Sequence, residues 1–446
     1  MHTVRRACLV LAAIAAVLVV IGLAIGLPGL WQPAVLVAVF GGATGIGAVE
    51  SAKSYQYTAW VAACVIAALL FPGAFHSWGG VELSGKFLMT TIIQLVMFGM
   101  ATQMRLHDFA GVVRHPRGVL VGLIGHYSVM PIAAFILVQF TGLPAEIGLG
   151  VILYGCVSSG LASNVMSLLA RANLALAVTI TAMSTILSPL MTPFLMKVFA
   201  GRIVDVSFIA MMFDVIRITL VPVAAALLVD YLRTAGPAAL RRVNILVALA
   251  AVWLVALVLG GWNAAAERLG ATGLGVFQSL SYVAAAIVLA RVYHLLVTGP
   301  LPILATAMPY ASMFGIMYYN TITTAAGRDA LLEVGLVLLA VGIVHNLTGY
   351  VFGYWGSRAS GLDQSSSRSV AFEVGMQNGG MATGLAASMG MIGTAGLAAA
   401  VFSPLGNITG SLLANYWSRR PPTGGEASEA QYASTSPTTL QTGKTA

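Results

Sequence analysis

The sequence predicts an all-α polytopic membrane protein of the inverted-repeat transporter kind, with two discontinuous helices that run in opposite directions. Three observations predict it. Of 446 residues, 59% are hydrophobic and only 8% charged, whereas soluble domains carry about 25% charged residues. Apolar stretches of about 20 residues, the length needed to cross a bilayer, follow one another along the whole chain. Two of these stretches are broken by glycine together with polar side chains, an arrangement that survives at membrane depth only where protein or a watery cavity satisfies the loosened backbone. An ordinary cytosolic enzyme, a nucleic-acid binder and a disordered chain are excluded by the first observation alone.

In order, fourteen stretches qualify: 7–27, 31–49, 56–74, 86–104, 117–140, 147–170, 174–200, 206–233, 243–262, 273–297, 300–325, 331–355, 369–391 and 394–418. With both termini cytoplasmic, most basic residues fall in cytoplasmic segments, including Arg5, Arg6, Lys53, Arg241 and Arg368. Lys86, Lys197, Arg202, Arg268 and Arg328 fall outside, and Arg217 and Arg291 lie within spans. That bias satisfies the positive-inside rule for the inner membrane of a cell, so the net charge of +8 reports orientation rather than a polyanion partner. The first span, preceded by Arg5 and Arg6, is read as an uncleaved helix rather than a secretory signal. Residues 421–446, rich in Ser, Thr and Gly, read as a disordered cytoplasmic tail. Cys8, Cys64 and Cys156 sit in apolar runs and read as small fillers, without disulfide or metal spacing.

The first polar cluster runs from Gly155 through Ser158, Ser159 and Gly160 to Ser163 and Asn164; the second runs from Glu373 through Gly375, Gln377 and Asn378 to Gly380. Glu373 has no basic residue within one helical turn. Freed carbonyls at such breaks bind cations, and half-helix N-termini attract anions. Six stretches separate the two clusters, so their spans cross in opposite directions, as an inverted repeat requires. Helix packing by small polar residues accounts for Ser158, Ser159 or Thr181 singly, but not for a mid-span Glu373 followed by Gln377 and Asn378.

With both clusters in view, the sequence resembles the bile acid:sodium symporter family. The matching stretches are Val96-Met97-Phe98-Gly99-Met100 with Asp108-Phe109, Ala162-Ser163-Asn164-Val165-Met166, Leu169-Ala170-Arg171 and Ser184-Thr185 with Ser188-Pro189-Leu190. They continue with His345-Asn346, Gly349-Tyr350, Glu373-Val374-Gly375-Met376-Gln377-Asn378, and Asn407-Ile408 with Gly410-Ser411-Leu412-Leu413. The resemblance implies panel and core domains made from two inverted five-span repeats, here residues 54–204 and residues 205–235 with 300–420. Two extra spans (1–53) precede that core and a two-span insertion (236–299) interrupts it; both read as peripheral scaffold or oligomer contact rather than a second transport site. It also implies Na+ as coupling ion, a small organic anion as substrate, membrane lipid as surroundings, and neither enzymatic activity nor an organic cofactor.

Carried over by position, a first sodium site would draw on Ser163, Asn164, Thr181 and Glu373, with Ala177 where some members have serine. A second would use Glu373, Gln377 and the carbonyls of Val374 and Met376, with His126 in place of a glutamine ligand. Carboxylate, hydroxyl and amide oxygens suit a hard cation; imidazole nitrogen does not. His126 therefore has two readings, a hydrogen-bonded core histidine or a group that couples protons in place of, or beside, one sodium ion. Asn378 and Asn407 would meet the solute. Leu161 and Gly406 replace hydroxyl and imidazole groups of some members, which points to a different solute. A rival reading makes Ser158 or Ser159 the nucleophile of an intramembrane enzyme with His126 as base; a second is a passive channel. Asp214 and Arg217 read as a local pair, and Gly42–Gly47 as helix packing.

Overall fold

The computed structural model describes residues 2–49, 52–420 and 422; the expected tail, 421–446, lies outside them apart from Pro422. The first helices are α1 (His2–Ala24), α2 (Pro28–Gly45), α3 (Gln56–Leu70), α4 (Lys86–Ala101), α5 (Gly111–Arg114) and α6 (Pro116–Thr141). A small antiparallel hairpin, β1 (Ser77–Trp78) and β2 (Val81–Glu82), joins α3 to α4. Then come α7 (Ala145–Cys156), α8 (Ala162–Leu169) and α9 (Leu174–Ala200). A π-helical turn joins α10 (Phe208–Val215) to α11 (Val221–Thr234), and another joins α12 (Pro237–Ala256) to α13 (Trp262–Arg268). The chain closes with α14 (Ala271–Thr298), α15 (Ile303–Ala326), α16 (Arg328–Ala359), α17 (Gln364–Gly375), α18 (Gly379–Ser388) and α19 (Gly396–Ser418).

Among the described residues nine helices are long and apolar enough to cross a membrane unaided, or ten if the bent pair Lys86–Ala101 and Leu106–Arg114 is one span. The other stretches expected to cross are also helical but depart from a simple span. α3 is short, α7 with α8 and α17 with α18 are each interrupted, and α15 is continuous over 24 residues but less apolar than the nine. α12 and α13 run well beyond the apolar stretch 243–262 at both ends, because Arg241 and Arg242 end the apolar run without ending the backbone hydrogen bonding.

Two groups of helices pack together. α3, α4, α11 and α15 form one; α6 to α9 and α16 to α19 form the other. Within the second group α6 packs on α7 and α9, α16 packs on α17 and α19, and α6 and α16 pack on each other. One pattern of neighbours thus occurs twice, around the two interrupted helices. The core lies here: Leu149, Ile152, Leu153, Phe372, Leu385 and Leu397 are fully buried.

Two charged residues show how the fold treats charge. Arg368, expected in a cytoplasmic loop, instead lies on α17 and is 1% exposed. Its guanidinium donates to the carbonyls of Ala170, Trp417 and Arg420 and lies over the Trp417 ring. Carbonyls left over at the ends of α8 and α19 carry partial negative charge, and a cation there satisfies them. Arg217 pairs with Asp214 at 3.5 Å, as expected, and also donates to Gly275 O and Ser279 Oγ on α14. Gly41 and Gly45 let α2 close on Cys8, Leu9 and Ala12 of α1, which is the packing role read for that glycine-rich stretch.

Candidate functional site

The two polar clusters are where the helices break. α7 ends at Cys156 and α8 resumes at Ala162; α17 ends at Gly375 and α18 resumes at Gly379. The broken segments cross and pair as an isolated antiparallel bridge between Ser159 and Gln377. Gly160 N donates to Met376 O and Asn378 N donates to Ser158 O, each at 2.9 Å. The backbone groups lost to each helix are thereby recovered in the other, which is how non-helical chain survives at this depth. Gly160 permits the crossing, because a Cβ there would stand 2.7 Å from Gln377 O. Asn346 on α16 donates to Gly375 O at 2.7 Å, satisfying a further carbonyl of the broken end.

Glu373 sits one turn before its break and is completely buried. Ser163 Oγ lies 2.5 Å from its Oε1 and Thr181 Oγ1 2.7 Å from its Oε2. The same two hydroxyls also face Gly160 O at 2.7 Å and Asn164 Oδ1 at 3.3 Å. Gly160 O also accepts from Ser163 N, and the five side-chain oxygens of Ser163, Asn164, Thr181 and Glu373 carry two hydroxyl protons among them. None of the ion pairs among the described residues involves Glu373. A buried carboxylate is costly without compensating charge, and an oxygen-rich, proton-poor cluster is the environment a hard cation prefers. All four residues read for the first sodium site therefore converge.

The residues read for the second site are arranged differently. His126, on α6 and fully buried, faces Glu373 O with Nδ1 and Val157 O with Nε2, both at 2.9 Å. Both ring nitrogens are thus directed at carbonyl oxygens of the two broken helices; a neutral imidazole has one N–H and donates to one of them, and only the imidazolium donates to both. Met376 O accepts from Gly160 N and Ser159 Oγ, and Val374 O accepts from Gln377 Nε2 at 2.7 Å. Gln377 Oε1 is buried without a hydrogen-bond partner, so it is the oxygen of this group that remains free to ligate.

Below the crossing is a cavity of about 70 Å³ lined by Gly160, Leu161, Gln377, Asn378, Gly406 and Asn407, among others. Both residues read as solute contacts line it. Asn378 is also the N-cap of α18, its Oδ1 accepting from Met381 N at 3.0 Å, while its Nδ2 donates only to Met97 Sδ at 3.8 Å, a weak acceptor. Leu161, by contrast, precedes α8 without any side-chain cap; there Ser163 N and Asn164 N donate to the carbonyls of Gly160 and Leu161 instead, so the backbone itself closes that helix end. Small-molecule pockets are typically about 300–1,000 Å³; in this conformation the space at the crossing is several-fold smaller than that.

The serine-enzyme rival has no geometry behind it. Ser158 Oγ points to Met381 Sδ and Ser159 Oγ to Met376 O, while both His126 nitrogens face carbonyls. Two contributors were missed in the sequence, the Asn346 donor and the Asn378 cap. Asn346 entered the sequence reading within the matching stretch His345-Asn346, with no role attached, and it pairs with Thr409 on α19.

Comparison with known proteins bears on this site. The Sodium Bile acid symporter family matches residues 90–265. The uncharacterized sodium-dependent transporter YocS of Bacillus subtilis (strain 168) is 30% identical over 361 residues, covering 81% of this chain and 90% of that one. The probable sodium/metabolite cotransporter BASS1, chloroplastic, of Arabidopsis thaliana is 28% identical over 84% of this chain and 76% of its own. The ileal sodium/bile acid cotransporter of Cricetulus griseus is 32% identical over 149 residues, 32% of this chain and 42% of that one.

Proposed function

The chain belongs to the sodium bile acid symporter family, and from that premise we propose that it couples the inward movement of sodium to uptake of a small organic anion by alternating access. Membership makes it a multi-pass, sodium-dependent membrane transporter rather than an enzyme. The observation that carries the finer reading is the cluster of oxygens around Glu373, joined from α8, α9 and α17 and short of protons. In this reading Na+ is held by Ser163, Asn164, Thr181 and Glu373, and draws the two broken helices into one geometry. The anion then binds at Asn378 and Asn407, in the cavity beside the crossing. Sodium raises solute affinity because it favours the state in which these groups are assembled. The protein sits in the plasma membrane with both termini in the cytoplasm, and the repeats 54–204 and 205–235 with 300–420 supply the moving parts.

The placement of His126 favours a single principal ion. Its imidazole already lies between Glu373 O and Val157 O, the place a second cation would otherwise take, and only Gln377 Oε1 is left free beside it. Sodium dependence is then that of one site, and His126→Gln, by restoring an oxygen ligand, makes it cooperative. A sodium dependence unchanged in that variant contradicts the assignment.

Uptake by purified protein in liposomes, across a panel of organic anions with a sodium gradient, a proton gradient or none, tests the whole reading. The sodium gradient drives accumulation of at least one anion. Accumulation driven by the proton gradient alone replaces sodium with proton coupling, and equal flux of every active solute without a gradient makes the protein a channel.

A further inference from the structure

The α1–α2 addition meets the rest of the molecule at one principal joint, where α2 packs on α3. Beside that joint lies a cavity of about 860 Å³ bounded by α2, α3, α15 and the β1–β2 hairpin. Phe40, Trp60, Phe314 and Trp78 come from these four elements in turn, and the wall is mostly aromatic and aliphatic. Lys53, exposed and just ahead of α3, is the one charged residue among the described lining residues. Nearby, Arg5 donates to Gly47 O and Gln56 Nε2 to the carbonyls of Ala43 and Thr44. One end of the cavity is therefore polar and cationic and the remainder apolar.

The wall is long enough for an acyl chain. From Gln56 to Ala67, both in the wall, α3 rises about 16 Å at ~1.5 Å per residue, against about 15 Å for half of a ~30 Å hydrocarbon core, and Phe75, Trp78 and Leu83 carry the wall on past the end of α3. An unfilled gap in a helix joint forfeits dispersion contacts on every wall. No hydrophobic force closes such a gap inside a bilayer, where the solvent is as apolar as the walls. A cation at the membrane-interface end of an apolar groove selects an acidic headgroup.

We propose that this cavity holds one anionic phospholipid of the surrounding bilayer, its acyl chain between α2, α3 and α15 and its phosphate at Lys53. The lipid fastens the α1–α2 pair to the transporter body. It is separate from the ion and solute groups at the helix crossing, and stands whether or not their assignment does.

Native mass spectrometry of the full chain, released from bilayers of equal phosphatidylglycerol and phosphatidylcholine, tests the proposal. One phosphatidylglycerol is retained per chain, with a preference of about five-fold over phosphatidylcholine, the worth of one interfacial lysine. Lys53→Gln brings the preference to parity, and Cys64→Trp, which fills the cavity from α3, removes retention of both lipids. Lys53 is exposed, at the start of a single 3₁₀ turn ahead of α3, so its variant keeps the fold, which an unchanged gel-filtration profile verifies. Equal retention of the two lipids by the unmodified chain overturns the proposal, as does a preference unaffected by Lys53→Gln. Displacement of the lipid by an equal concentration of oleate overturns it too, because the ligand is then a free fatty acid.

Discussion

The two broken helices use the same geometry for unequal chemistry. The break between α7 and α8 spans residues 157–161, with hydroxyls and glycine but no carboxylate; the break between α17 and α18 spans only 376–378 and follows Glu373. The second half-helix is capped by Asn378, whereas the first begins at Leu161 without a side-chain cap. One break thus supplies the carboxylate and a side-chain-capped helix end, and the other supplies hydroxyls and an end closed by its own backbone. In the proposed function the cation joins the two, between Glu373 on α17 and Ser163 and Asn164 on α8, and the anion takes the cavity beside the bridge.

Removing the charge tests that division most severely. Glu373→Ala lowers sodium-driven uptake by on the order of 100-fold, since two hydrogen bonds to an ionised group, at about 1.5–3 kcal/mol each, disappear with the carboxylate itself. Intact uptake in this variant places the ion elsewhere. Thr181→Val, which deletes a single hydroxyl on α9, raises the half-saturating sodium concentration by about ten-fold with little change in the maximal rate.

Gly160→Ala attacks the bridge rather than either ligand set. The added Cβ meets Gln377 O at 2.7 Å, and backbone cannot yield as a flexible side chain would. The expected cost is about 1–3 kcal/mol, seen as a lowered thermal midpoint in detergent and as weakened sodium and solute binding together. If only one of the two weakens, the breaks are not mechanically joined. The smallest effect is expected from Asn378→Ala. Loss of the α18 cap costs about 1 kcal/mol, and the half-saturating solute concentration rises while that for sodium stays nearly constant.

Much of this arrangement was legible in the sequence because membrane burial makes polarity conspicuous. Glycine beside Ser158, Ser159, Gln377 and Asn378 marked both breaks, and an acid at position 373 in an apolar stretch had few structural explanations. Partners could not be read in the same way. Asn346 reaches Gly375 O, and His126 faces Val157 O and Glu373 O, across long sequence separations that no local pattern encodes. Arg368 was misplaced for a related reason: hydropathy scores a cation as a loop residue, and does not register the carbonyls of Ala170, Trp417 and Arg420 that make its burial favourable.

The central claim, that the oxygens around Glu373 hold sodium, can be tested without knowing the solute. An ion that binds only the folded protein raises its thermal midpoint with concentration. The midpoint of the purified chain rises with added sodium at constant ionic strength, does not rise with potassium, and becomes insensitive to both in Glu373→Gln. A midpoint that responds equally to sodium and potassium, or a sodium response that survives Glu373→Gln, contradicts the account.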